Sequence, residues 1–75
     1  MLLAISKYDG KTVRIYFQDG EVLEGFVRCY LPAEENEGKE AIVLSVTEAA
    51  ESSLSQPGDE IEIGSSEIAS IEALS

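Results

Sequence analysis

The chain has 75 residues, of which 44% are hydrophobic, five are lysine or arginine and fifteen are aspartate or glutamate. This length suits a single domain, residues 1–75, and the apolar fraction excludes a chain that is disordered throughout. A net charge of −10 opposes binding to phosphates, so the composition disfavours RNA or DNA as a partner. Solubility accounts for such acidity in most small proteins, and the alternative is a surface that attracts a basic protein partner.

The sequence also bears on location. No apolar run approaches the roughly 18 residues that span a bilayer, and the first lysine follows the apolar N-terminal residues, the reverse of the order in a signal peptide. The single cysteine, Cys29, excludes an internal disulfide framework. Because the chain has no histidine to activate that thiol, we expect Cys29 to be a small buried residue. We expect a cytoplasmic protein without a membrane partner.

The first half of the chain predicts a β-hairpin. Residues 1–9 suggest a short helix or a lead-in segment. Val13, Ile15 and Phe17 then alternate with polar residues, which is the period of a half-buried strand. Asp19-Gly20 supplies the positive backbone angles of a tight turn, and residues 22–31, rich in branched and aromatic side chains, predict the second strand.

Gly25 interrupts this second strand. A glycine inside a strand packs no side chain, so it usually marks a bulge, a sharp bend or a close approach of another backbone. Sharp bending is what a short sheet needs in order to close into a small barrel. Gly25 therefore predicts a strongly bent sheet rather than a phosphate-binding loop.

The second half predicts three further strands. Pro32 and an acidic loop over residues 33–40 end the second strand, and residues 41–47 form a near-continuous apolar strand. A polar connection over residues 48–58 follows. Ile61 and Ile63 alternate with glutamates in a fourth strand, and Ile68 and Ile71 begin the fifth. Five short strands predict an all-β fold, a small five-stranded, strongly bent barrel of the SH3-like type with a short N-terminal helix before it.

These residues resemble a family, the Sm-like proteins, which include a bacterial RNA chaperone. The first Sm motif has the form Gly-Lys-x-apolar-x-apolar-x-apolar-x-Asp-Gly, then four residues, then Gly-x-apolar. Its places are filled without a gap by Gly10, Lys11, Val13, Ile15, Phe17, Asp19, Gly20, Gly25 and Val27. The apolar places of the second motif are filled by Ile63, Ile68 and Ile71. The resemblance covers nearly the whole chain and implies an Sm-like barrel in which Gly10, Gly20 and Gly25 are structural glycines.

The nucleotide pocket of that family is not matched. The family's base-binding aspartate and asparagine fall near Leu31 and Glu35, and the Arg-Gly pair of the second motif falls on Gly64 and Ser65. Asn36 reaches the asparagine position only with a shift of one residue. The resemblance therefore implies the barrel more strongly than it implies RNA binding, since barrels of this class host unrelated roles.

The candidate nucleic-acid-binding residues are Lys11, Arg14, Tyr30 and Asn36. The basic residues could contact phosphates and the tyrosine could stack on a base. The alternative is that Lys11, Arg14 and Arg28 are outward residues of the strands, paired with nearby glutamates such as Glu24. The tyrosines Tyr8, Tyr16 and Tyr30 would then cover the open ends of the core or a subunit interface.

We expect no enzyme, no cofactor and no metal site. Without histidine a general base would have to be a carboxylate or a lysine in a pocket, and no nucleophile motif is visible. The acidic loops lack the ligand spacing of a calcium site.

The function that we expect is a non-catalytic binding or assembly module. An open barrel exposes strand edges, and edges either pair with neighbouring subunits or must be protected. The resemblance implies a homo-oligomer, with a ring of six or seven subunits as the family expectation and a dimer still open. The two strands that make the subunit contact in the family correspond to residues 41–47 and 61–63, so the resemblance implies an interface at these edges. Its side chains would be Ile42, Leu44, Val46, Ile61 and Ile63.

Overall fold

The structure is a computed structural model that describes residues 5–49 and 55–74. Within them lie five strands: β1 (Thr12–Phe17), β2 (Val22–Leu31), β3 (Ala41–Ala49), β4 (Glu60–Gly64) and β5 (Ile68–Ala73). All neighbours are antiparallel and the sheet has the order β4-β3-β2-β1-β5. The predicted all-β class is confirmed.

Short 3₁₀ turns connect the strands. They span Ser6–Tyr8, Ala33–Glu35 and Ser65–Glu67. The first of them stands where the sequence suggested a short helix, and residues 1–4 of that expectation lie outside the described residues. The polar connection expected over residues 48–58 begins later than predicted, because β3 continues to Ala49, which pairs with Leu23 of β2. Residues 50–54 of this connection also lie outside the described part of the chain.

The β1–β2 hairpin follows from the alternation of its residues. Val13 and Ile15 are fully buried, whereas Tyr16 is exposed on the opposite face. In the turn, the Asp19 carboxylate accepts a hydrogen bond from the backbone amide of Glu21 at 2.9 Å, and Gly20 has a φ of +94°. A positive φ at this place favours glycine, so the Asp-Gly signal predicted the turn correctly.

One hydrophobic core joins both ends of the sheet. Ile63 of β4 and Ile68 of β5 belong to the same buried cluster, although these strands stand at opposite ends of the strand order. The two edges can share a core only if the sheet curls around it, so the fold is barrel-like. The cluster comprises Ile5, Val13, Ile15, Leu23, Val27, Ile42, Leu44, Val46, Ile63 and Ile68.

Gly25 lies where the backbone of β3 comes close to β2. The pairing of β2 with β3 shifts its register between Glu24 and Gly25, as a bulge does. A Cβ atom added at Gly25 would overlap the backbone carbonyl oxygen of Ser45 and would lie 2.9 Å from Cγ of Leu44. The glycine therefore marks both a bulge and a close backbone approach.

Two expectations about individual positions are wrong. Residues 41–47 do not form a sheet edge, because β3 pairs with β2 on one side and with β4 on the other. The side chains of Ile42, Leu44 and Val46 accordingly belong to the core of their own chain. Cys29 is exposed rather than buried, since a second register shift, between Val27 and Cys29, breaks the inward and outward alternation of β2.

Candidate functional site

A groove opens between the turn that follows β2 and the end of β4. It has a volume of about 890 Å³, within the range of ligand-binding clefts. Four carboxylates and one ammonium line it, so its formal charge is 1 − 4 = −3. These charged residues are Glu34, Lys39, Glu40, Glu62 and Glu67, and the ring of Tyr30 forms part of the wall.

The turn that forms one side of the groove is held by its own polar groups. Pro32 ends β2, and the Asn36 side-chain amide donates to the carbonyl of Lys39 at 2.8 Å. Glu37 and Gly38 both have positive φ, which reverses the chain toward β3. The Asn36 side chain thus stabilises the loop in addition to lining the groove.

Tyr30 and Glu40 are joined within the groove. The Tyr30 hydroxyl donates a hydrogen bond to the Glu40 carboxylate. This hydrogen bond favours the neutral phenol and raises the pKa of Tyr30, and desolvation and the negative charges of Glu40 and Glu34 act in the same direction. The hydroxyl is consequently already engaged, whereas the ring remains a groove wall.

The edge strand β4 presents two backbone amides outward. Two hydrogen bonds at the ends of the β3–β4 ladder fix its alternation. The amide of Ser65 donates to the carbonyl of Glu40 at 3.0 Å, and the amide of Val46 donates to the carbonyl of Asp59 at 2.8 Å. Hydrogen-bonded pairs alternate along an antiparallel ladder, so the amides of Glu60 and Glu62 point away from β3.

The next outward amide of β4 is already occupied. The amide of Gly64 donates to the Glu67 carboxylate at 2.9 Å. This contact closes the end of the strand beside the groove and fixes the Ser65–Glu67 turn. The open part of the β4 edge therefore lies at Glu60 and Glu62.

The other edge of the sheet is β5. The amide of Leu74 donates to the carbonyl of Thr12 at 2.8 Å, so alternation turns the amides of Ile71 and Ala73 away from β1. In the described residues β5 pairs with β1 alone. Ala69, Ser70 and Ala73 are small and exposed, and no lysine or proline protects the strand.

Arg14 is a residue of β1, the strand that pairs with β2 on one side and with β5 on the other. Its guanidinium contacts the Glu24 carboxylate at 2.8 Å and the Glu72 carboxylate at 3.0 Å, which links β2, β1 and β5. The hydrogen bond that the Arg14 guanidinium donates to the Glu24 carboxylate is the main cause that raises the pKa of Arg14 above its usual value. The ion pair with Glu24 is the alternative that the sequence offered for this residue.

The predicted nucleic-acid-binding residues do not come together. Tyr30 and Asn36 line the groove, but Lys11 and Arg14 are not among its lining residues. Lys11 lies in the loop before β1. The groove residues Glu40, Glu62 and Glu67 were not predicted as a site, although the alternation of Glu60-Ile61-Glu62-Ile63 indicated that two glutamates would share one exposed face.

The part of the chain that the structure describes holds no group of three or more cysteine, aspartate or glutamate side chains placed to bind a metal ion. Among residues 5–49 and 55–74 no helix is long and apolar enough to cross a membrane. No protein-family model, no curated protein and no solved structure matches the chain.

Proposed function

We propose that this protein is a non-catalytic, Sm-like binding and assembly module that self-associates through a strand edge. The observation that carries the proposal is the strand order β4-β3-β2-β1-β5, which leaves β4 and β5 without a second neighbour among the described residues. Exposed edges of this kind form extra ladders with other chains unless charge, proline or a covering element prevents it. The Sm-like motif over residues 10–27 supports the same proposal.

Charge favours β5 as the edge that self-associates. A β4–β4 pair would place Glu60 and Glu62 beside the same residues of a second copy, and like charges across a ladder are destabilising. Along β5 the charged residue is Glu72, and Arg14 of the same chain partly neutralises it. Two β5 strands related by a two-fold axis would form a closed, isologous dimer with one continuous sheet.

Sedimentation equilibrium with a backbone variant tests this proposal. Over about 1 to 100 µM the parent chain should reach a mass twice that of one chain, because dimers follow mass action. Ala73→Pro removes an outward amide of β5 that β1 does not use, so it should shift the equilibrium toward monomer. Ala73→Ser keeps the amide and is the matched control.

Two outcomes would contradict the proposal. A parent chain that remains monomeric across this range removes self-association altogether. A ring of six or seven subunits would instead indicate pairing of β4 with β5 and would overturn the β5–β5 arrangement. Ala73→Ser is informative in either case, since it should behave as the parent chain does.

RNA binding is the less supported alternative. Arg14 is engaged by two carboxylates and Tyr30 by Glu40, which weighs against both residues as free RNA contacts. Retention of a short uridine- or adenine-rich RNA at about 50 mM salt, where electrostatic affinity is high, is the test. We expect no retention, and salt-sensitive binding that Lys11→Gln weakens would favour the alternative.

A further inference from the structure

The β4 edge combines an unpaired backbone with an acidic face. Glu60 and Glu62 are both exposed, and their spacing of two residues places them on the same face of the strand. Their amides also point outward, away from β3. An added strand could therefore meet the hydrogen-bonding groups and the carboxylates of this edge at the same time.

The carboxylates of β4 are poorly neutralised by this chain. Their cross-strand neighbours on β3 are Ser45 and Val43, which carry no charge. In the described residues the ion pair of β4 joins Arg28 to Glu60 at 3.8 Å, and both side chains are more than half exposed. Glu62 also lines the groove, whose formal charge is −3, so the negative surface continues beyond the end of the edge.

We propose that β4 and the adjoining groove bind an extended, lysine- or arginine-bearing segment of a partner protein as an additional strand. Backbone hydrogen bonds to the β4 edge would supply affinity, and alternate basic side chains would face Glu60 and Glu62. A lysine or arginine at the next position would enter the groove toward the ring of Tyr30, where aromatic faces favour cations.

This inference goes beyond self-association and uses the other edge. A dimer formed through β5 leaves β4 open in both copies, so each dimer would offer two equivalent acidic edges. A second copy of this chain is a poor occupant for β4 because its own strand edges carry glutamates and no lysine or arginine.

Three synthetic peptides of about eight residues, the length of an ordinary strand, test the proposal. In the first, lysine alternates with valine; in the second, glutamate replaces lysine; in the third, proline replaces valine. The third peptide keeps the positive charge but cannot add a regular ladder. Binding is followed at low salt by the amide resonances of the ¹⁵N-labelled full chain.

The lysine–valine peptide should shift the amides of Glu60 and Glu62, and neither control peptide should do so. Glu62→Gln should weaken binding by about two- to fivefold, the range expected for an exposed charge pair. Glu72→Gln removes the same charge from the β5 edge and should leave the affinity unchanged, so it controls for the overall charge of the protein.

Several results would overturn the inference. Equal binding of the proline peptide would indicate attraction to bulk charge without strand addition. Shifts confined to β5, equal weakening by both glutamine variants, or no binding of the first peptide would also reject it. The masses of the same preparations distinguish the two proposals. A dimer that does not bind the peptide would support self-association and reject strand addition at β4, whereas a monomer that binds the peptide would support strand addition and reject self-association.

Discussion

Gly25 has no space for a side chain. A Cβ atom there would overlap the carbonyl oxygen of Ser45, which belongs to the backbone of β3 and cannot rotate away. We expect Gly25→Ala to lower the free energy of unfolding by about 2 kcal/mol or more, through overpacking and strain in the β2–β3 ladder. Gly25→Val should be worse still, despite the high strand propensity of valine.

Gly20→Ala is the matched control for this prediction. Gly20 has open space around its Cα, so alanine would meet only the strain of a positive φ, about 1 kcal/mol. Urea unfolding of the parent chain and both variants gives the comparison. If Gly25→Ala proves as stable as the parent chain, β2 and β3 are not in close contact at this point.

Tyr30 should make stability depend on pH in the alkaline range. Its hydrogen bond to Glu40 raises the pKa of the folded phenol above the value of about 10 in the unfolded chain. The Tyr30 hydroxyl therefore holds its proton more tightly in the folded state than in the unfolded chain. The stabilisation that the Tyr30–Glu40 hydrogen bond gives to the folded state is complete below about pH 10 and is lost as pH rises through the folded pKa. In Tyr30→Phe, the urea midpoint of unfolding should fall less steeply with rising pH than it does in the parent chain. An unchanged slope would show that the Tyr30–Glu40 contact does not persist in solution.

At the scale of the strands, Arg14 holds β5 to the hairpin. It contacts Glu24 on β2 and Glu72 on β5, so Arg14→Gln would leave two carboxylates beside β1 without their cation. We expect faster hydrogen exchange at the amides of Ser70 and Glu72, which point toward β1, with little change in β3. Arg28→Gln removes a single exposed pair and should leave β5 exchange unaltered. Equal acceleration in both variants would mean that net charge, and not this contact, governs β5.

The strands themselves were predictable because each carries a local signal. The alternation of Val13 and Ile15, the Asp19-Gly20 turn and the glycine within β2 all follow from local geometry. The position of a strand in the sheet has no such signal. The resemblance to the Sm-like family placed a subunit-contacting edge at residues 41–47, but β3 lies between β2 and β4 and fills the core with alternate side chains.

The groove was harder to foresee for the same reason. Tyr30 contacts Glu40 because the β2–β3 register places Tyr30 opposite Ile42, and a register is a property of two strands together. Glu67 reaches the Gly64 amide through the geometry of a short turn. Sequence patterns predicted that these residues are polar and near the surface, but not that they would share one acidic groove.

For the molecule as a whole, net charge should set the response to salt. Each chain carries −10, so two copies repel each other, and the repulsion reaches about 30 Å at 0.01 M salt but about 10 Å at 0.1 M. We expect the dimer dissociation constant to fall as salt rises, because screening removes repulsion while the backbone hydrogen bonds of the β5 edge remain. The affinity for the lysine–valine peptide should change in the opposite direction, since the same screening weakens attraction to Glu60 and Glu62. Sedimentation and peptide titration over one salt series provide both curves. If rising salt strengthened both interactions, or weakened both, the result would contradict the assignment of self-association to β5 and of basic-segment binding to β4.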